Sequence, residues 1–155
     1  MRNFYLVLEK IKGVLEAHSQ VNVVTYGDIF DVDLNKQTIF PLSHIMVNSA
    51  TIAGQVIRFN ISVIAMDVVD ETKEDIRDQQ EPFYGTSNLQ EILNTQLAVC
   101  NAVVKQLEKG DLHFDKYQLE GTPQCLPFQD RFENLLAGWN CTFDVITPNT
   151  EISIC

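Results

Sequence analysis

The stretch IFPLSHIMVNSATIAGQVIRFNISVIAMDVV, residues 39–69, decides how the chain folds. In its second half Ile57, Phe59, Ile61 and Val63 alternate with Arg58, Asn60 and Ser62, so an extended backbone turns the apolar side chains to one side and the polar ones to the other. In the first half Phe40, Leu42, His44 and Met46 share one side while Ile39, Ile45 and Val47 share the other, which makes both faces of that strand partly apolar. Pro41 lacks an N–H and fits a strand start or edge. The whole reads as a long β-hairpin, with residues 48–54 as the turn and Gly54 as the residue suited to a positive φ. Past Val63 the alternation gives way to Ile64, Ala65 and Met66, which predicts that this end of the strand is covered on both sides.

An apolar strand face needs a cover, and two amphipathic segments can supply it. Residues 3–19 place Phe4, Val7, Leu8, Ile11, Val14, Leu15 and His18 on one face of a helix, with His18 a helix-end residue facing the last carbonyls. Further on, Ser87-Asn-Leu-Gln90 matches a capping box. After it Leu89, Ile92, Leu93, Val99, Cys100, Val103, Val104 and Leu107 keep helical spacing until Gly110. Residues 21–26 form a short β-branched run, and the last third is strand-like at 117–122 and 137–147. There Trp139, Cys141, Phe143 and Val145 alternate with Asn140, Thr142 and Asp144. Pro123 and Pro127 break the region between, and the alternation assigns no element to residues 128–138. The predicted class is α+β: an antiparallel sheet built on the long hairpin, flanked by two helices. At 155 residues a single domain spanning 1–155 is expected, interrupted by an acidic loop at 70–87.

That loop carries Asp70, Glu71, Glu74, Asp75, Asp78 and Glu81 against Lys73 and Arg77, and it reads either as a solvated connection or as a charged contact arm. The formal net charge of −10 argues against a protein that grips nucleic acid, because such proteins neutralise phosphates with Lys and Arg. Asp31, Asp33 and Asn35 stand at calcium-loop spacing, but Lys36 replaces the glycine of the turn and Leu42 the closing glutamate, so no metal is expected there. Cys100, Cys125, Cys141 and Cys155 show neither Cys-x-x-Cys spacing nor a nearby histidine pair. They are read as reduced thiols, with Cys100 and Cys141 on apolar faces as small hydrophobes. The apolar run Phe4 to Leu8 is too short for a signal peptide or a membrane span, which predicts synthesis in cytosol without membrane insertion. No phosphate loop or nucleophile elbow occurs, leaving Cys125 with His113 or His44 as the one pairing that could support nucleophilic catalysis. The expectation is a protein without catalytic function, cofactor or metal.

The order helix, short strand, long hairpin, acidic loop, long helix, closing strands resembles the tail terminator and tail completion proteins that form neck rings in tailed bacteriophages. The segments that carry the likeness are IFPLSH at 39–44, VIRFNISV at 56–63 and LAGWNCTFDVITP at 136–148, and the Asn-rich style is similar to ring proteins of crAss-like phages. The resemblance implies a structural virion protein, made in the host cytoplasm, whose copies close into a dodecameric or hexameric ring. Such a ring joins portal, adaptor or tail proteins around a channel through which DNA passes without sequence-specific binding. Residues implied to reach a neighbouring copy are Asn48, Ser49 and Thr51 at the hairpin and Asp70, Glu71, Glu74 and Asp75 in the acidic loop. The alternatives are a bacterial adaptor or binding domain, and a small hydrolase using Cys125.

Overall fold

The apolar face of the hairpin is covered from one side by both helices. A computed structural model describes residues 3–27, 40–69, 89–110, 112, 117–129 and 136–148. In chain order the elements are α1 (Asn3–Ala17), β1 (Val23–Tyr26), β2 (Leu42–Ala53), β3 (Val56–Val68), α2 (Leu89–Lys109), β4 (Gln118–Gln129) and β5 (Leu136–Pro148). The strands form one sheet in the order β1-β2-β3-β5-β4. Pairing is antiparallel between β2 and β3, β3 and β5, and β5 and β4, which is the expected α+β architecture on the 39–69 hairpin. Strand β1 is the one described strand outside this antiparallel pattern: it runs parallel to β2 with Val23 opposite Leu42 and Tyr26 opposite Ile45. A long connection between these two strands, instead of a tight turn, lets the chain re-enter the sheet in the same direction.

The hairpin turn is shorter than predicted. Strand β2 continues to Ala53, which lies opposite Val56, and only Gly54 and Gln55 form the turn, with Gly54 at φ 63°. Thr51 and Ile52 are β-branched and pair with Arg58 and Ile57, so the ladder extends over residues whose polar neighbours Asn48 and Ser49 suggested a loop. Instead, the register shifts between Val47 and Ser49, making Asn48 the extra residue of a β-bulge. Helix α1 is also shorter, closing with the His18 N–H donated to the Leu15 carbonyl at 3.1 Å. The His18 ring faces forward and not back to the carbonyls: its Nδ1 accepts the Gln20 N–H at 3.1 Å.

One face of the sheet, the front, carries the main core. Ile57, Phe59, Ile61 and Val63 of β3 and Cys141, Phe143 and Val145 of β5 are buried with Val7, Ile11 and Leu15 of α1 and Val99, Cys100, Val103 and Leu107 of α2. Full burial of each large aliphatic or aromatic side chain contributes about 1.5–3 kcal/mol, so this layer dominates the stability. Trp139 lies at the rim of the layer and donates its indole N–H to the Leu93 carbonyl at 2.7 Å, tying β5 to α2. The back face has its own apolar cluster at one end, where Phe40, Leu42, Ile64, Met66, Phe128 and Leu136 are buried. The predicted double coverage past Val63 is therefore present. Strand β5 also comes very close to β3 here: a Cβ on Gly138 would clash with the Ala65 carbonyl oxygen, so only glycine fits. Residues 128, 129 and 136, left without an element by periodicity, end β4 and begin β5.

Phe59 is 3% exposed and packs edge-on against Phe4 of α1, with ring centroids 6.3 Å apart. Phe59→Ala is expected to destabilise the protein by about 3–5 kcal/mol in equilibrium denaturation; a loss under about 1 kcal/mol would place the ring outside the core. A second prediction concerns Asp67, half-buried on β3. Burial raises its pKa above the ordinary carboxylate value, outweighing the Val68 N–H that its Oδ1 accepts at 2.8 Å. A raised folded-state pKa gives a stability contribution that is complete below the unfolded pKa and lost as pH rises through the folded one. Asp67→Asn should therefore raise the melting temperature at neutral pH, with the difference shrinking in acid as the native carboxyl protonates.

Candidate functional site

Strand β1 is so short that it covers only residues 42–45 of β2. From Met46 to Ala53, no described strand pairs with the outer edge of β2. That edge reads Met-Val-Asn-Ser-Ala-Thr-Ile-Ala, without a proline or a charge to discourage a further strand. Its last six residues, 48–53, are exposed, and Ile52 is 68% exposed although it continues the front-face row opposite buried Ile57. Tyr5 and Tyr26, both exposed, meet Phe4 edge-on on the same face, giving the region apolar and aromatic surface in solvent.

The hairpin residues singled out from sequence take distinct roles. Asn48, at the bulge, turns back over the sheet: its Nδ2 donates to Asn60 Oδ1 and to Ser62 Oγ, each at 2.8 Å. Ser49 and Thr51 lie opposite Asn60 and Arg58, exposed along the strand and not at its tip. Asp70, Glu71, Glu74 and Asp75 lie outside the described residues, as do the acidic residues Asp31 and Asp33 with Asn35. The polar back face then continues strand by strand. Asn60 donates to Asp144 at 2.8 Å, the Ser62 and Thr142 hydroxyls share a hydrogen bond of 3.0 Å, and Arg58 grips Glu120 through two bonds of 2.6 Å. The Arg58 guanidinium holds the Glu120 carboxyl below its ordinary pKa, and Glu120 raises that of Arg58. These bonds link β2, β3, β5 and β4 beneath the open edge.

The proposed pairing of Cys125 with His44 is not formed. His44 is fully buried on the back face, with its Nδ1 2.7 Å from Thr25 Oγ1 and its Nε2 2.7 Å from the Gly27 carbonyl, to which Nε2–H donates. It joins β1 to β2. Cys125 instead lies opposite Cys141, on the front face, and His113 is outside the described residues. What sequence reasoning missed is the company Cys125 keeps: the Sγ atoms of Cys100, Cys125 and Cys141 all lie within 4.8 Å of one another. Helix α2 delivers Cys100, and the adjacent strands β4 and β5 deliver the other two. Their burial on apolar faces was legible for Cys100 and Cys141; their convergence needed the packing of α2 across β5 and β4. Cys125 alone is half-buried, and it lines a groove of about 470 Å³ with Leu97, Ala98 and Asn101 of α2 and Pro123. Thiol hydrogen bonds from Cys100, then Cys141, lower the Cys125 pKa to about 6 against the cost of burial. Donating that bond, with burial, pushes the Cys100 thiol far up.

Among the described residues no helix is long and apolar enough to cross a membrane. Compared with known proteins, the chain matches no family model and no curated protein. The thiol geometry predicts selective chemistry: iodoacetamide added to the native, reduced protein should modify Cys125 while sparing Cys100 and Cys141, as read by peptide mass spectrometry. Equal labelling of the three before unfolding would contradict the packing of α2 on β4 and β5.

Proposed function

We propose that the protein is a structural subunit of a phage neck or tail ring, in which the open edge of β2 receives a segment of the neighbouring copy. The observation that carries this reading is the length from Met46 to Ala53 that no described strand pairs with on its outer side, a row of backbone donors and acceptors with neither charge nor proline along it. Such an edge is a template for strand addition, and a protein that leaves one bare risks uncontrolled pairing unless a specific partner takes it. The opposite edge of the sheet is different. Strand β4 carries Pro123 and Pro127, and its register with β5 shifts between Glu120 and Gln124, features that oppose strand addition. An interface that uses unlike patches on successive copies is head-to-tail, and it closes into a ring when the rotation per subunit permits. The acidic segment with Asp70, Glu71, Glu74 and Asp75 is the second contact assigned to the neighbour. A net charge of −10 suits a conduit, because weak repulsion of phosphates lets DNA slide where a basic lining would hold it.

Lysines placed on this edge test the reading. Thr51→Lys with Ile52→Lys adds charge to exposed positions, where surface changes alter folding by about 0.5 kcal/mol or less. The expected result is a wild-type protein whose mass in solution rises with concentration towards a ring, and a double variant that stays monomeric with an unchanged circular dichroism spectrum. A wild-type chain that remains a monomer at all concentrations and is missing from virions would overturn the proposal.

A further inference from the structure

We propose that Cys100, Cys125 and Cys141 bind a thiophilic d10 metal ion, Cu(I) or Zn(II), through three thiolates at the head of the groove between α2 and β4. The first ground is convergence. Three donors from three separate elements meet with every Sγ within 4.8 Å of the others. A metal–sulfur bond of about 2.3 Å places three coordinated sulfurs about 4 Å apart, so ligation asks for a contraction of less than about 1 Å. Two of the donors stand on the rigid front layer, Cys141 at 0% and Cys100 at 1% exposure. Cys125 and Cys141 are direct partners across the β4–β5 ladder, which fixes their separation.

The second ground is the chemistry of the donors. Among the described residues the cluster contains sulfur alone, with no carboxylate or imidazole, a set that rejects magnesium, calcium and manganese and selects soft ions. The third is access: the groove beside Cys125 supplies an entry path and room for an outer ligand, while Cys100 and Cys141 stay sealed behind it. One turn before Cys100 on the same face of α2, Gln96 is fully buried and neither of its amide atoms has a hydrogen-bond partner. Residues four apart on a helix are neighbours, so this orphaned amide is available to donate to a thiolate, the kind of outer bond that orients metal ligands. Binding replaces three S–H protons by the ion and releases them to solvent, leaving one negative charge on a zinc centre and two on a copper centre. The two ions share this chemistry and differ at the groove, where Zn(II) takes a fourth donor such as water and Cu(I) is complete with three sulfurs.

The test uses the full chain, reduced with a phosphine and handled without oxygen. It is dialysed in separate arms against Zn(II) and against Cu(I) kept in solution by acetonitrile, each followed by metal analysis and chelator competition. Expected is a single ion per chain in at least one arm, with a thiolate-to-metal charge-transfer band in the ultraviolet. Cys125→Ser removes a donor at the half-buried position, so the variant should fold, and its affinity should fall by about a hundredfold or more. X-ray absorption then distinguishes the two sources, three sulfurs for copper and three sulfurs with a lighter fourth atom for zinc. Failure of both ions to bind, or binding that is unchanged in Cys125→Ser or lacks the thiolate band, would overturn the proposal.

Discussion

Strand β3 can exist only as a covered, doubly paired strand, and the rest of the molecule answers that constraint. It is hydrogen-bonded to β2 on one side and to β5 on the other along its length. Its front row of Ile57, Phe59, Ile61, Val63 and Ala65 is removed from water by two helices that both lie on that side. Because the helices share one face, the other face divides by chemistry. Near Ile64 and Met66 it is apolar and buried. Towards the turn it is a hydrogen-bonded polar surface running from Asn48 to Glu120. Each buried polar atom in that surface costs free energy unless paired, and the succession of side-chain partners across four strands supplies the pairing.

The same arrangement explains why the hairpin is exposed where it is. Helical cover reaches Phe59 through Phe4, but Ile52 and Val56 at the turn end stand in solvent. Strand β1 stops at Tyr26, so among the described residues the outer side of β2 has no strand neighbour beyond Ile45. The cross-strand bonds behind it hold the arm in a defined geometry, so the ring contact proposed above would cost less entropy than the docking of a flexible hairpin. An open strand edge on a stiff arm is thus a consequence of unequal strand lengths, and it is the feature from which a ring contact is inferred.

The thiol cluster shows how one packing event can create chemistry. Cys100 and Cys141 would serve as small apolar fillers in any core, and free cysteine does so commonly. Cys125 changes the meaning of both. It sits on β4 at the edge of the groove, so a sulfur in contact with solvent is backed by two that are not. Thiol hydrogen bonds from Cys100, then Cys141, hold the accessible Cys125 below the ordinary thiol value, the usual condition for a thiol that ligates or reacts.

Local pattern was enough for much of this protein. Alternation along residues 57–63 and 139–145 set the faces of β3 and β5, and the spacing from Ile92 to Leu107 set the buried stripe of α2. These are periodicities of the backbone itself, so each can be read from one segment without its neighbours. Where the reading failed, the deciding interaction was between segments. The polar pair Asn48 and Ser49 looked like a turn, but pairing with β3 extended the strand past them and left a bulge. The direction of β1 depended on the path of the connection, and the place of His44 on its bonds to Thr25 and Gly27. Cys125 lies beside a broken, proline-marked stretch whose face no alternation assigned. Only the crossing of α2 over β4 and β5 brought its sulfur to Cys100 and Cys141, because proximity between residues distant in sequence is set by how layers pack and not by any local period.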